Sequence, residues 1–397
     1  MNVFDHRERI AHRQQSALDH ISNWVELYYD LVFVAAILLF SRTLEHLHLT
    51  SASGWIILVF IACWWAWLTT TVCANRYRMS GPAHYGLLLA QMVIIVLMAM
   101  EAQQSITGDS ARLSFEYGLL LLIVATMFFR AERHSLTDRS FARFRFLLNA
   151  GIGAVFLAAA ALGQTARLTV DLVAFAALVI SSLATIHQVD AFTDEDEKHI
   201  SERMAAFTLI VCGESFVGVA LTISGKTIDQ VDLFSLIFEF VLVFSIFTGY
   251  FVDVPRSRIF HRRFGGWTTG HLLVQMGIGG TAVGVARLID AQSAAHLPDS
   301  EILKLTIPLI LIFCGLGVID LCARHDRRRT LVALRLATAL AFAVVGVLAW
   351  LIPWIHLQEA LPLFTVVAVA QAILISNVIE RSSELDSDSG DLPLTSA

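Results

Sequence analysis

Long apolar runs separated by short polar stretches dominate the chain. Runs such as Gly86–Met100 and Leu331–Leu351 are apolar nearly all round, without the single stripe of a soluble helix or the alternation of a barrel strand. A helix of about 20 apolar residues crosses the hydrocarbon core of a bilayer, and a helix satisfies its own backbone polar groups in lipid. The pattern predicts spans near 24–44, 54–73, 83–101, 113–130, 145–163, 168–187, 204–223, 231–252, 267–289, 305–322, 331–352 and 360–380. The fold class is therefore all-α, a polytopic transmembrane helix bundle of about twelve spans.

Composition agrees with the pattern. Of 397 residues, 56% are hydrophobic and 16% charged, against about 25% charged in a soluble domain. Cys63, Cys73, Cys212, Cys314 and Cys322 fall in predicted spans and form no CxxC pair, so no disulfide framework or zinc site follows. Residues 1–23 are charged and lack the apolar stretch of a signal peptide, so the first span reads as a retained helix behind a cytoplasmic N-terminus. Residues 188–203 read as a cytoplasmic linker, with Asp194-Glu195-Asp196-Glu197 as a solvated loop, and 381–397 as a disordered acidic tail.

Positive charge orients the spans. Cytoplasmic loops carry an excess of Lys and Arg. With the N-terminus inside, all 28 Lys and Arg fall on inside segments except Arg42, Arg112, Arg167, Lys226, Arg287 and Lys304. Both ends are then cytoplasmic, in the cell (inner) membrane. The net charge of −6 adds nothing about partners, because the sign of each loop matters more than the sum.

The chain also suggests a parallel internal repeat of six spans, 24–187 and 204–380. Glu26 at the start of span 1 corresponds to Glu202-Arg203 before span 7. Asn75-Arg76 at the end of span 2 corresponds to Asp253 and Arg256 at the end of span 8. Gln91-Met92 in span 3 corresponds to Gln275-Met276 in span 9.

Candidate chemistry lies in the intramembrane polar residues. An acid near the bilayer centre costs about 2.5–3.5 kcal/mol on insertion scales, so it usually faces a cavity or a partner. Glu214 stands roughly 16 Å into span 7, and Gly213 beside it would permit close helix approach or local unwinding. It reads either as a proton or cation site or as a hydrogen-bonded lock between helices. Glu26 and Asp30 are one turn apart on one helix face. They share a proton or cation, or else Glu26 sits in the headgroup region and Asp30 pairs with an arginine. Ser201 and Glu202 read as helix-capping residues or as the repeat partner of Glu26. Asn75, Asp253, Gln91 and Gln275 are interhelical glue or pathway lining, with Arg256 the default partner of Asp253. Trp64, Trp65 and Trp67 read as packing aromatics or an aromatic ligand box. No nucleotide-binding, hydrolase or metalloprotease motif, arginine ladder or selectivity filter is present. No catalytic residue, metal site, cofactor or nucleic-acid partner is implied. The partners expected are membrane lipids and a small solute or ion.

Trp24-Val25-Glu26-Leu27-Tyr28-Tyr29-Asp30-Leu31-Val32-Phe33-Val34 resembles the opening helix of the bacterial low temperature requirement A (LtrA) proteins. Glu202-Arg203 followed by Cys212-Gly213-Glu214-Ser215 resembles that family's second signature, and the tryptophan-rich span ending Ala74-Asn75-Arg76 also fits. The resemblance runs from about Trp24 to Ile379, with Cys212 where an aliphatic residue is expected. It implies a multi-pass membrane protein linked to growth in the cold. It directs attention to Glu26, Asp30, Glu202 and Glu214, and it implies no settled biochemical activity.

A secondary transporter or ion-coupled permease is the leading expectation, its two halves rocking around a site where Glu214 and Asp30 bind a proton or cation. The alternatives are a membrane enzyme acting on a lipid or lipid-linked substrate through Glu26, Asp30 and Glu202, and a non-catalytic membrane sensor or scaffold. An enzyme is the less favoured class, because no nucleophile is recognisable.

Overall fold

The computed structural model describes residues 24–44, 51–104, 110–134, 138–185, 194–224, 227, 233–254, 258–259, 263–290, 301–324, 328–352 and 357–390. Among these residues the fold is a helix bundle: α1 (Trp24–Leu44), then α2 (Ser51–Tyr77), α3 (Pro82–Gln104), α4 (Ala111–His134), α5 (Arg139–Ala159), α6 (Gln164–Thr185), α7 (Asp194–Ile223), α8 (Leu233–Phe251), α9 (Phe264–Asp290), α10 (Glu301–Cys322), α11 (Arg328–Leu351) and α12 (Leu357–Gly390). Two short strands, β1 (Arg258–Ile259) and β2 (Ala323–Arg324), pair antiparallel, Arg258 opposite Arg324. Eleven of the helices are long and apolar enough to cross a membrane. The all-α polytopic bundle expected from the hydrophobic pattern is the observed architecture.

The remaining helix, α9, is diluted by glycine, threonine, His271 and Gln275. Trp267, Thr268, His271, Val274, Gln275 and Thr281 on it are all buried. Polar groups at membrane depth are held where protein rather than acyl chain surrounds them. Glycine explains how α9 is packed. A Cβ on Gly270 would stand 2.8 Å from the Gly315 carbonyl oxygen, and one on Gly277 2.7 Å from that of Pro308. Gly284 meets the Lys304 carbonyl in the same way, at 2.9 Å. Pro308 has no N–H to give that carbonyl, so this seam of small residues lies against the one weak point of α10. Gly118 of α4 and Gly153 of α5 form a similar close crossing, each about 3 Å from the other's carbonyl when a Cβ is added.

The chain divides into two compact units, residues 1–210 and 211–397. The boundary falls inside α7, not in the linker expected at 188–203. Residues 194–203 are helical, and the acidic run Asp194–Glu197 forms the first turn of α7 where a loop was expected. Acidic residue types at a helix start suit the positive end of its dipole, a preference that hydropathy alone does not register. Ser201 is therefore interior to α7, not its cap. At the other end α12 continues through residues 381–390, into the stretch expected to be a disordered tail. The N-terminal segment 1–23 and residues 391–397 lie outside the described residues.

Candidate functional site

In unit 1 the site is built where α1 and α7 begin. Asp30 is wholly buried and Glu26 nearly so, one turn apart on α1. Arg203 of α7 lies between them. Its Nε donates to Asp30 Oδ2 at 3.1 Å, one Nη donates to Asp30 Oδ1 at 2.6 Å, and the other donates to Glu26 Oε2. The guanidinium thus grips Asp30 with two parallel bonds and Glu26 with a third, a geometry lysine cannot reproduce. Trp67 Nε1 of α2 donates to Asp30 Oδ1 at 2.7 Å. His199 Nε2, one turn before Arg203 and partly exposed, stands 3.5 Å from Glu26 Oε2. His84 of α3 is fully buried within electrostatic reach of Glu26 and Arg203, and neither ring nitrogen has a hydrogen-bond partner among the described residues.

Aromatic rings close the cluster on its inner side. The Trp67 and Phe207 rings lie 4.4 Å apart, tilted by 39°, and Phe33 lies 5.4 Å from Phe207. Trp64 and Trp67 are both fully buried, as packing aromatics of this wall. Next to it, Tyr29 and Thr70 both donate to Gln91 Oε1, at 2.9 and 2.8 Å, while Gln91 Nε2 reaches Met127 Sδ at 3.2 Å. Gln91 therefore ties four helices together. Asn75 Nδ2 donates to the Asp196 carbonyl at 3.0 Å, fastening the end of α2 to the start of α7.

Glu202 does not join this cluster. Its side chain is 62% exposed and, among the described residues, is paired with Lys198 alone, at 3.8 Å. Because α7 starts at Asp194, Glu202 lies on the outer face and its neighbour Arg203 on the inner one. Glu214 is half-buried on the part of α7 that belongs to unit 2. The helix is unbroken at Gly213, where an added Cβ would meet nothing within 4 Å. Gly213 is therefore neither a site of unwinding nor a close-packing glycine within its unit.

Unit 2 holds a second cluster, where α8 and α10 end. Arg335 of α11 is fully buried. Its Nε donates to Asp320 Oδ2 of α10 at 3.2 Å, and Nη2 donates to the Gly249 carbonyl of α8 at 2.7 Å and lies 3.7 Å from Asp253 Oδ2. The Asp253 and Asp320 carboxyls are within hydrogen-bonding reach of each other. The partner expected for Asp253, Arg256, lies outside the described residues. One residue along from Gly249, Tyr250 Oη lies 3.0 Å from His271 Nε2, whose Nδ1 faces the Trp267 carbonyl at 2.9 Å. That carbonyl only accepts, so Nδ1 carries a proton. Gln275, one turn beyond, is fully buried.

Several functional candidates escaped the sequence reading. Arg145, Arg203 and Arg335 read as loop charges marking the cytoplasmic side. All three are buried side chains well inside helices. Arg145 donates to Ser182 Oγ at 2.5 Å and to Thr69 Oγ1 at 3.2 Å, with the Phe128 ring 5.5 Å away. Asp320 and Asp171 were also passed over. Asp171 accepts from Ser114 beside a small cleft lined by Trp55, Met98, Tyr117 and Phe156, at the other end of unit 1. Glu239 of α8 is wholly buried. The argument that singles out Glu214, one acid well inside an apolar span, applies to Glu239 equally and would have found it. No group of three or more His, Cys, Asp or Glu among the described residues is placed to hold a metal ion.

Two comparisons find no match, neither among curated proteins nor among solved structures. A third finds the model of the bacterial low temperature requirement A proteins over residues 22–373, a stretch that includes both clusters. The signatures around Glu26–Asp30 and Glu202–Arg203 are thus read in a chain that belongs to the bacterial low temperature requirement A (LtrA) family.

Proposed function

We propose that this protein is a proton- or cation-coupled transporter of the cell membrane, with the Glu26–Asp30–Arg203 cluster as its coupling site. One observation carries the reading: two buried carboxylates share a single guanidinium. Charges withdrawn from water are retained at a cost of several kcal/mol each unless they are matched. One arginine matches one carboxylate, and the second calls for a proton or a small cation. His199, partly exposed and 3.5 Å from Glu26, stands where a proton would enter from the end at which α1 and α7 begin. The arginine distribution along the loops supports a cytoplasmic position for that end and for both termini. A charge arriving at Glu26 loosens its hold on Arg203, and the guanidinium then bears on Asp30 alone. That exchange gives the helices α1 and α7 two arrangements between which transport can alternate.

The test is ion flux into liposomes holding the purified full chain, with a proton or sodium gradient imposed. The expected result is flux above that of empty liposomes, abolished by Asp30→Asn and strongly reduced by Glu26→Gln. No flux with the wild-type chain, or equal flux in wild type and both variants, overturns the proposal.

A further inference from the structure

Glu239 is the one acid in unit 2 whose surroundings do nothing to balance it among the described residues. It is wholly buried, and neither carboxyl oxygen has a hydrogen-bond partner. No charged group among the described residues stands close enough to balance it. α8 packs against α12 and α9, its Phe240 ring lies 4.7 Å from Phe216 of α7, the helix that carries Glu214, and Arg335 of α11 reaches its far end at the Gly249 carbonyl. From α12, Thr365 reaches this turn, but its hydroxyl is committed to the carbonyls of Phe238 and Leu361, at 3.2 and 2.9 Å. From α9, His271 is committed to Tyr250 and Trp267.

A bare carboxylate held so is among the most costly arrangements in a membrane protein. A metal cation would need several oxygen ligands around it, and no acidic or histidine group for such a set stands nearby among the described residues. A proton needs only the carboxyl itself. We propose that Glu239 is a proton-binding site of unit 2, carried as the neutral acid at rest and exchanging its proton toward the end at which α8 begins. It stands roughly 9 Å from that end, with buried Ser235 one turn nearer it. On the other side the buried face of α8 offers Leu242, Val243 and Ile246 before Gly249, with Ser245 the one polar side chain, its hydroxyl donated back to the Val241 carbonyl at 2.6 Å, so about 15 Å of largely apolar helix separates Glu239 from the Gly249 carbonyl that Arg335 holds. Unit 2 then holds acids at two levels, one near each end, with an insulating stretch between.

This proposal adds a second proton site to the coupling proposed above, and its readout needs no transport. Infrared spectra of the purified full chain in liposomes at neutral pH are compared for wild type and Glu239→Gln, with glutamate carboxyl carbons isotopically labelled. The expected result is a carbonyl band of an un-ionised glutamic acid, shifted by the label, lost entirely in Glu239→Gln and moved in Glu239→Asp. The Asp variant serves where the Gln variant does not fold. A glutamate spectrum identical in wild type and variant above the carboxylate bands overturns the proposal, as does a band that disappears on adding sodium ions at constant pH. Should the band appear while no flux is found, Glu239 binds a proton and the transport reading fails alone.

Discussion

The two charged clusters use the same three groups, one arginine and two carboxylates, and assemble them in different ways. In unit 1 both acids sit one turn apart on α1, and Arg203 reaches across from α7. In unit 2 the acids come from separate segments, Asp253 after α8 and Asp320 near the end of α10, and Arg335 of α11 also serves the Gly249 carbonyl. Unit 1 provides substitutes for its arginine, since Trp67 donates to Asp30 and His199 stands beside Glu26. In unit 2 Arg335 is the common partner of two acids and a carbonyl, and it is completely enclosed. A buried charge cluster can thus draw on donors from several helices, as in unit 1, or gather two acids and a carbonyl around one enclosed guanidinium, as in unit 2.

Arg335→Met tests this contrast most severely. It removes the guanidinium shared by two buried acids and a carbonyl, and the expected loss is about 3–5 kcal/mol, measured by unfolding in mixed micelles. Arg203→Met is expected to cost less, about 2–3 kcal/mol, because the indole and imidazole remain as donors to the stranded acids. Equal losses for the two variants would break the comparison. Trp67→Phe keeps an aromatic ring against Phe207 and removes one charge-assisted hydrogen bond, with an expected cost of about 1.5–2 kcal/mol. In the Arg203→Met background the same change is expected to cost more, and a double-mutant cycle measures the difference. Glu202→Gln touches an exposed pair with Lys198 and is expected to stay within about 0.5 kcal/mol of wild type. A larger loss there would mean that the outer face of α7 also carries function.

The spacing of Glu26 and Asp30 was legible because a helix brings residues four apart onto one face. Their partner was not, because Arg203 lies far along the chain and read as one more loop arginine. The identity of the inward residue in the Glu202-Arg203 pair depends on where α7 begins. Moving that start from 204 to Asp194 changes no hydropathy pattern, yet it makes the pair part of a helix that is already packed at this level. Asp320 and Arg335 were illegible for a different reason. Asp320 stands near the end of α10 and Arg335 two turns into α11 behind a run of arginines, where hydropathy cannot separate a buried side chain from a solvated one. Glu239, by contrast, was visible in principle, an acid set in the run Phe238-Glu239-Phe240.

Hydrophobic run length alone determined that the chain is a membrane helix bundle, since the thickness of the hydrocarbon core and the rise of the helix leave little freedom once each run is counted. Even α9, too polar to stand among the eleven spans, was placed at 267–289 by the same apolar pattern. Which arginine meets which acid was decided only by tertiary structure. Ion pairing acts over a few ångströms between residues remote in sequence, and the rotation of each helix about its axis, set by seams such as Gly270–Gly315, chooses the side chains that turn inward.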